Sequence, residues 1–156
     1  MSVAGASILV VDDHPLNREL LSRLIKRQGH VVQTAEDGIK ALEMVRSRSF
    51  DLILLDVIMP VMSGIEVLKR LKADPVFQSI PVLMISAVDE KDTVIRCIEW
   101  GADDYLPKPF NPVLLRARMN VSIEKKRLRD RERLYLQKIE NDLSIAREIQ
   151  KHFLPD

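Results

Sequence analysis

The chain has 156 residues, 46% of them hydrophobic and 30% charged, with a formal net charge of +1. This supports one well-packed domain plus an extra element and excludes a chain too polar to bury a core. No apolar run is long enough to span a bilayer, and the start at Met1 lacks the basic-then-apolar form of a secretory signal, so a cytoplasmic protein with no membrane partner is expected.

Residues 1–6 read as a disordered start. Apolar runs and helical stretches then alternate five times. The strand candidates are Ile8–Val11, Val31–Thr34, Leu52–Leu55, Val82–Ile85 and the short Asp104–Leu106. Leu16, Leu20, Leu21 and Leu24 recur at helical spacing after the first strand, as do Ile39, Leu42, Met44 and Val45 after the second. Gly29, Gly64 and Gly101 punctuate element ends, and Asp37 and Asp89 suit helix caps. Cys97 cannot form an internal disulfide, and its place in the row Val94, Ile95, Ile98 reads as a small core residue. The pattern predicts an α/β fold, a (βα)5 doubly wound parallel sheet over residues 7–123. Right-handed crossovers put helices on both faces, so the strands read as continuously apolar.

After Asn111, which suits a cap, and Pro112, which fits a first helical turn, no Gly or Pro recurs until Pro155. A helix over 112–154 would be roughly 65 Å long at ~1.5 Å per residue, so it must project beyond the domain. Leu114, Val121 and Leu128 are seven apart, and Leu136, Ile139, Leu143, Ala146 and Phe153 keep a three-four spacing interrupted by Gln150. A 128-132-136 step joins the two stretches, with Lys125 and Glu132 on the seam. Residues 124–156 are therefore expected to form a helical coiled-coil linker and a homodimer; the alternative is a helix that folds back on its own domain or packs on a missing one. Between Arg116 and Arg133 stand eight basic residues against three acidic ones, a local +5 that reads as a solvated face rather than a nucleic-acid surface.

The chemistry gathers where strands end. Asp12 and Asp13 follow the first strand, Asp56 follows the third, and Lys108 lies in Tyr105-Leu106-Pro107-Lys108-Pro109. In an open parallel sheet the carboxyl ends of the strands line one crevice, so these residues converge. Carboxylates that close repel one another unless a cation sits among them, and an oxygen-rich set suits Mg²⁺, with Mn²⁺ as an alternative ion. Each aspartate alone could be a strand-end cap; together with Lys108 they point to phosphoryl transfer onto a carboxylate. His14 reads as the solvent-facing start of the first helix rather than a metal ligand.

From about Ser7 to Ile123 the chain resembles the receiver domain of bacterial two-component response regulators. The resemblance rests on Val10-Val11-Asp12-Asp13, Leu54-Leu55-Asp56-Val57-Ile58-Met59-Pro60, Met62-Ser63-Gly64, Ile85-Ser86-Ala87 and Tyr105-Leu106-Pro107-Lys108-Pro109, in family order. It implies a flavodoxin-like sheet of order 2-1-3-4-5, with Asp56 as the acceptor of a phosphoryl group from a sensor histidine kinase or phosphotransfer protein. It further implies that Asp13, Asp56 and the backbone carbonyl of Ile58 bind Mg²⁺ while Asp12 holds a metal-bound water, and that Ser86 and Lys108 meet the phosphoryl oxygens. Ser86 and Tyr105 take the family's switching role, read out on the face of the fourth helix, fifth strand and fifth helix, and Pro109 falls where the family has a cis peptide bond. Such a domain catalyses only its own phosphorylation and dephosphorylation. Ile58 and Val88, two past the acceptor and two past the switch hydroxyl, are apolar and cannot orient an attacking water, so slow loss of the phosphoryl group is expected.

The ending from Ala146 to Asp156 resembles the segment leading into metal-dependent serine/threonine phosphatases of bacterial stress and sporulation pathways, with Phe153 where Leu is usual. That likeness implies a phosphatase output domain beyond Asp156 and an anti-sigma-factor antagonist as partner. The competing readings are a stand-alone interaction receiver and a regulator of a diguanylate cyclase or of a DNA-binding output; no helix-turn-helix or zinc-finger spacing supports the last. An unrelated aspartate-nucleophile phosphatase would need Asp-x-Asp, which Asp56-Val57-Ile58 departs from.

Overall fold

A computed structural model describes residues 5–87 and 91–153; Met1 to Ala4, Val88, Asp89, Glu90 and Leu154 to Asp156 lie outside the described residues, and with them the expected cap at Asp89. The chain runs β1 (Ser7–Val11), α1 (Pro15–Arg27), β2 (Val31–Ala35), α2 (Gly38–Ser47), β3 (Leu52–Asp56), α3 (Gly64–Ala73), β4 (Val82–Ala87), α4 (Lys91–Glu99), β5 (Asp104–Lys108) and α5 (Pro112–Phe153). The five strands are parallel, in the order β2-β1-β3-β4-β5. The fold is the expected doubly wound, flavodoxin-like one with a long C-terminal helix.

Successive strand residues point to opposite faces, so each central strand feeds two cores. Leu9, Val11, Ile53, Leu55, Val82 and Met84 pack in the core that includes α2 and α3, while Ile8, Val10, Leu52, Leu54, Leu83 and Ile85 pack in the core that includes α1 and α5. Cys97 is fully buried in the first of these. The edge strand β2 departs from the continuously apolar expectation: Val31 is exposed, because only an inner strand is covered along its whole length.

Helical spacing overstated burial on the outer helices. In α1 only Leu21 and Ile25 are buried, whereas Leu16 and Leu20 face solvent, and in α4 the neighbours of Cys97, Ile95 and Ile98, are exposed. Ala6, inside the stretch expected to be disordered, is fully buried and its N–H donates to His30 Nδ1 at 3.2 Å. The strands run further than their apolar cores, so Asp56 and Lys108 close β3 and β5 and Ser86 lies inside β4.

Asn111 Oδ1 accepts from the N–H groups of Val113 and Leu114 at 3.0 and 3.3 Å, which starts α5 at Pro112. Its first part presents Leu115, Met119 and Ile123, spaced by four, to the core, each completely buried and contributing about 1.5–3 kcal/mol by the usual burial scale. Leu114 lies beside this stripe, partly buried. From Arg131 to His152 every side chain is exposed. At 42 residues α5 is about 63 Å long, so it projects rather than folding back.

Candidate functional site

The site is built at the carboxyl edge of the sheet. Asp12 leaves β1 almost fully buried, and its Oδ1 accepts from the His14 N–H at 2.9 Å, so it also serves the start of α1. Arg18 donates to the Asp12 carbonyl at 2.7 Å and ties the first turn of α1 to this corner, a contact with no signal in the sequence. His14 stands at the N-cap, exposed and with no side-chain capping bond.

Asp56 is placed by its neighbours in the backbone. Val57 N–H donates to the Ile85 carbonyl at 3.0 Å, and Gly64 N–H donates to the Val57 carbonyl at 2.8 Å, which folds the loop back under the acceptor strand. A Cβ on Gly64 would lie 2.0 Å from the Asp56 carbonyl oxygen, so only glycine permits this approach. The sequence marked Gly64 as an element end; its role is the opposite, opening α3 beneath Asp56.

Asp12, Asp13 and Asp56 each bring a carboxylate oxygen within 4.8 Å of the others. Lys108 Nζ lies 3.3 Å from both Asp12 Oδ2 and Asp56 Oδ2. One ammonium against three carboxylates leaves a net negative pocket. Burial is the largest cause raising the Asp56 pKa above the usual carboxylate value; the charge of Asp12 adds to it, Lys108 opposes it, and Asp13 raises it further. Ionised Asp56 therefore lacks sufficient compensation from protein groups alone. Three oxygen donors and no nitrogen or sulfur donor make a hard-ion set, which fits Mg²⁺.

A cleft of about 230 Å³ opens between Asp13, Asp56, Ser86 and Lys108, with Ile58 on its rim, 65% exposed. Val88, the other residue read as flanking the water path, lies outside the described residues. Ser86 is buried, its hydroxyl donating to the Ala87 carbonyl at 3.3 Å, and the Tyr105 hydroxyl donates to the Ser86 carbonyl at 3.4 Å. The Lys108–Pro109 peptide bond is cis. Asp12, Asp13, Asp56, Ile58, Ser86 and Lys108 thus meet in one place, although they come from four separate strands and their loops.

The family model for the response regulator receiver domain matches residues 8–120. The chain belongs to that family. The response regulator MprA of Mycobacterium ulcerans is 41% identical over 125 residues, covering 80% of this chain and 53% of that protein. A cyclic di-GMP phosphodiesterase of Thermotoga maritima is 33% identical over 150 residues, covering 96% of this chain and 40% of its own length. The chain thus spans about half or less of these curated relatives. Among solved structures, the chemotaxis protein CheY4 of Vibrio cholerae superposes with a TM-score of 0.71 and 34% identity, over 74% of this chain and 97% of that one. Receiver domains bind Mg²⁺ through an acidic aspartate cluster, the kind of cluster formed here by Asp12, Asp13 and Asp56. They interact with histidine kinases or phosphotransfer proteins and with output domains. No helix among the described residues is long and apolar enough to cross a membrane.

Proposed function

We propose that Asp56 is the phosphoryl acceptor of this receiver and that α5 carries the response to an output domain. The observation that supports the first part is the convergence at Asp56: it closes the central strand, opens onto the cleft and meets Lys108 at 3.3 Å beside two further carboxylates. In the transfer, an Asp56 carboxylate oxygen forms a bond to phosphorus as the phosphorus–nitrogen bond of the donor phosphohistidine breaks, and the imidazole leaves. Lys108 holds a positive charge against the phosphoryl oxygens and Ser86 supplies a hydroxyl donor. Asp13, Asp56 and the Ile58 carbonyl would hold Mg²⁺, with Asp12 orienting a bound water; when bound, the ion offsets negative charge on the entering group and supplies most of what this transfer needs.

Ser86 and Tyr105 form the switch pair in this reading, since the tyrosine hydroxyl already reaches the Ser86 carbonyl from the neighbouring strand. Differential contacts to the phosphoryl group bias the position of Ser86, and Tyr105 follows on the α4-β5-α5 face. Arg118 of α5 pairs with Asp104 of β5, so a change in β5 reaches the helix directly. The exposed row Leu136, Ile139 and Leu143 supports a homodimer through projecting helices. For the output, the ending from Ala146 supports a serine/threonine phosphatase acting on an anti-sigma-factor antagonist. The alignment with the Thermotoga phosphodiesterase over 96% of this chain, projecting helix included, favours a cyclic di-GMP output as the second reading.

Intact mass after incubation with phosphoramidate tests the acceptor. The parent should gain one phosphoryl group in Mg²⁺ and none after chelation, and Asp56→Asn should gain none. A phosphorylated Asp56→Asn protein would sink the assignment.

A further inference from the structure

The opposite edge of the sheet carries a second concave site, far from Asp56 in the topology. A cleft of about 400 Å³ lies where the α2–β3 and α3–β4 connections meet the side of α5. Arg46 and Arg48 enter it from the end of α2 and the loop beyond, and Lys126 and Arg133 from α5. Lys126, Asp130 and Arg133 are spaced by four and three, hence on one face of the helix. Lys126 is already engaged, 2.6 Å from Asp130 and 3.7 Å from Asp51. Among the described residues none of the three arginines has a carboxylate within ion-pair reach. Arg46 complements the carboxyl end of the α2 dipole, but that explains neither Arg48 nor Arg133.

A solvated basic face spreads its charges along one element; here they arrive from two elements at one concavity. Four cations against two carboxylates, Asp130 in the cleft and Asp51 beside it, set on a low-dielectric wall, focus positive potential into the cleft. Phe50 and Phe77 supply that wall, Phe50 buried and Phe77 partly so. Guanidinium groups match phosphate oxygens in a bidentate way, and a volume of this size suits a small ligand rather than an extended strand. We propose that this cleft binds a small diphosphate-bearing anion, its phosphates on Arg46, Arg48 and Arg133, with room over Val76 and Phe77 for a nucleoside. Binding would clamp the root of the projecting helix to the receiver body, because the arginines come from both. The proposal does not depend on the reading of Asp56.

Calorimetry of the full chain in metal-free buffer at about 0.15 M salt, where surface charge effects are screened, tests it with pyrophosphate, ADP and sulfate as probes. Pyrophosphate or ADP should bind saturably and sulfate about tenfold or more weakly. Tighter ADP binding would assign a nucleotide, and equal binding a free diphosphate. Arg48→Ala combined with Arg133→Ala should weaken binding by about tenfold or more, and Arg116→Ala, on the same helix outside the cleft, should not. Hydrogen exchange over residues 126–133 should slow on binding. The absence of saturable binding, equal affinity for sulfate, indifference to the double variant, or a single-stranded oligonucleotide that binds more tightly and is weakened equally by Arg116→Ala would each overturn the proposal.

Discussion

The acidic edge of the sheet and the outer half of α5 are built on opposite terms. At the edge, Asp12 and Asp56 are almost fully buried, share one ammonium and depend on backbone contacts brought from distant parts of the chain. Along the outer helix every side chain from Arg131 to His152 is exposed, and its one ion pair among the described residues is the local Lys151–Glu148 contact at 3.6 Å. The first region stores unfavourable charge and close approach for a chemical purpose, whereas the second is held by helix propensity and intrahelical bonds. Sensitivity to substitution should divide the same way.

The sharpest test of that contrast is Gly64→Ala. With a Cβ placed 2.0 Å from the Asp56 carbonyl oxygen, the backbone itself must shift, at a cost of about 3 kcal/mol, the upper end for overpacking. Urea denaturation should show this loss together with impaired phosphorylation. An alanine at 64 with parent stability would mean that the loop beneath Asp56 is loosely held.

Asp56→Asn should act in the other direction. Because burial and neighbouring carboxylates raise the Asp56 pKa in the folded state, ionising it costs stability. The sign follows from linkage: between the ordinary carboxylate value and the raised one the folded protein holds more protons than the unfolded chain, so stability falls as pH rises through that window. In metal-free buffer at neutral pH the asparagine variant should therefore melt higher than the parent, and the gain should vanish in acid below the ordinary carboxylate range. Mg²⁺ should raise the melting temperature of the parent more than that of the variant. A variant that melts lower at neutral pH would show that Lys108 needs Asp56 more than Asp56 is harmed by its surroundings.

The smallest effect on the domain is expected on the helix. Leu136→Ala with Ile139→Ala should leave receiver unfolding within about 0.5 kcal/mol, since both residues are exposed. The same pair should shift a dimer to monomer in light scattering at micromolar concentration. A parent chain that is monomeric at high micromolar concentration would break the dimer reading and leave the contrast resting on the acidic edge alone.

Much of this was legible in the residues. Apolar runs bounded by helical periodicity are local signals, so the alternation of five strands and five helices, the start of α5 at Pro112 and the burial of Cys97 could be read directly. The convergence of Asp12, Asp13, Asp56, Ser86 and Lys108 followed from strand ends together with the family motifs, because a parallel sheet sends all its carboxyl ends to one edge. Tertiary structure decided what depends on neighbours. An isolated pattern cannot tell that β2 is an edge strand, that Leu16 and Ile98 face water, or that α5 turns Leu115, Met119 and Ile123 toward the core with Leu114 of the expected seam packed beside them, leaving only Val121 and Leu128 exposed. Nor can it reveal that Gly64 lies against the Asp56 carbonyl, that Arg18 reaches Asp12, or that Arg46 and Arg48 share a cleft with Arg133. Periodicity fixes which residues share a face of one element; which face is covered, and by what, is set only when the elements pack.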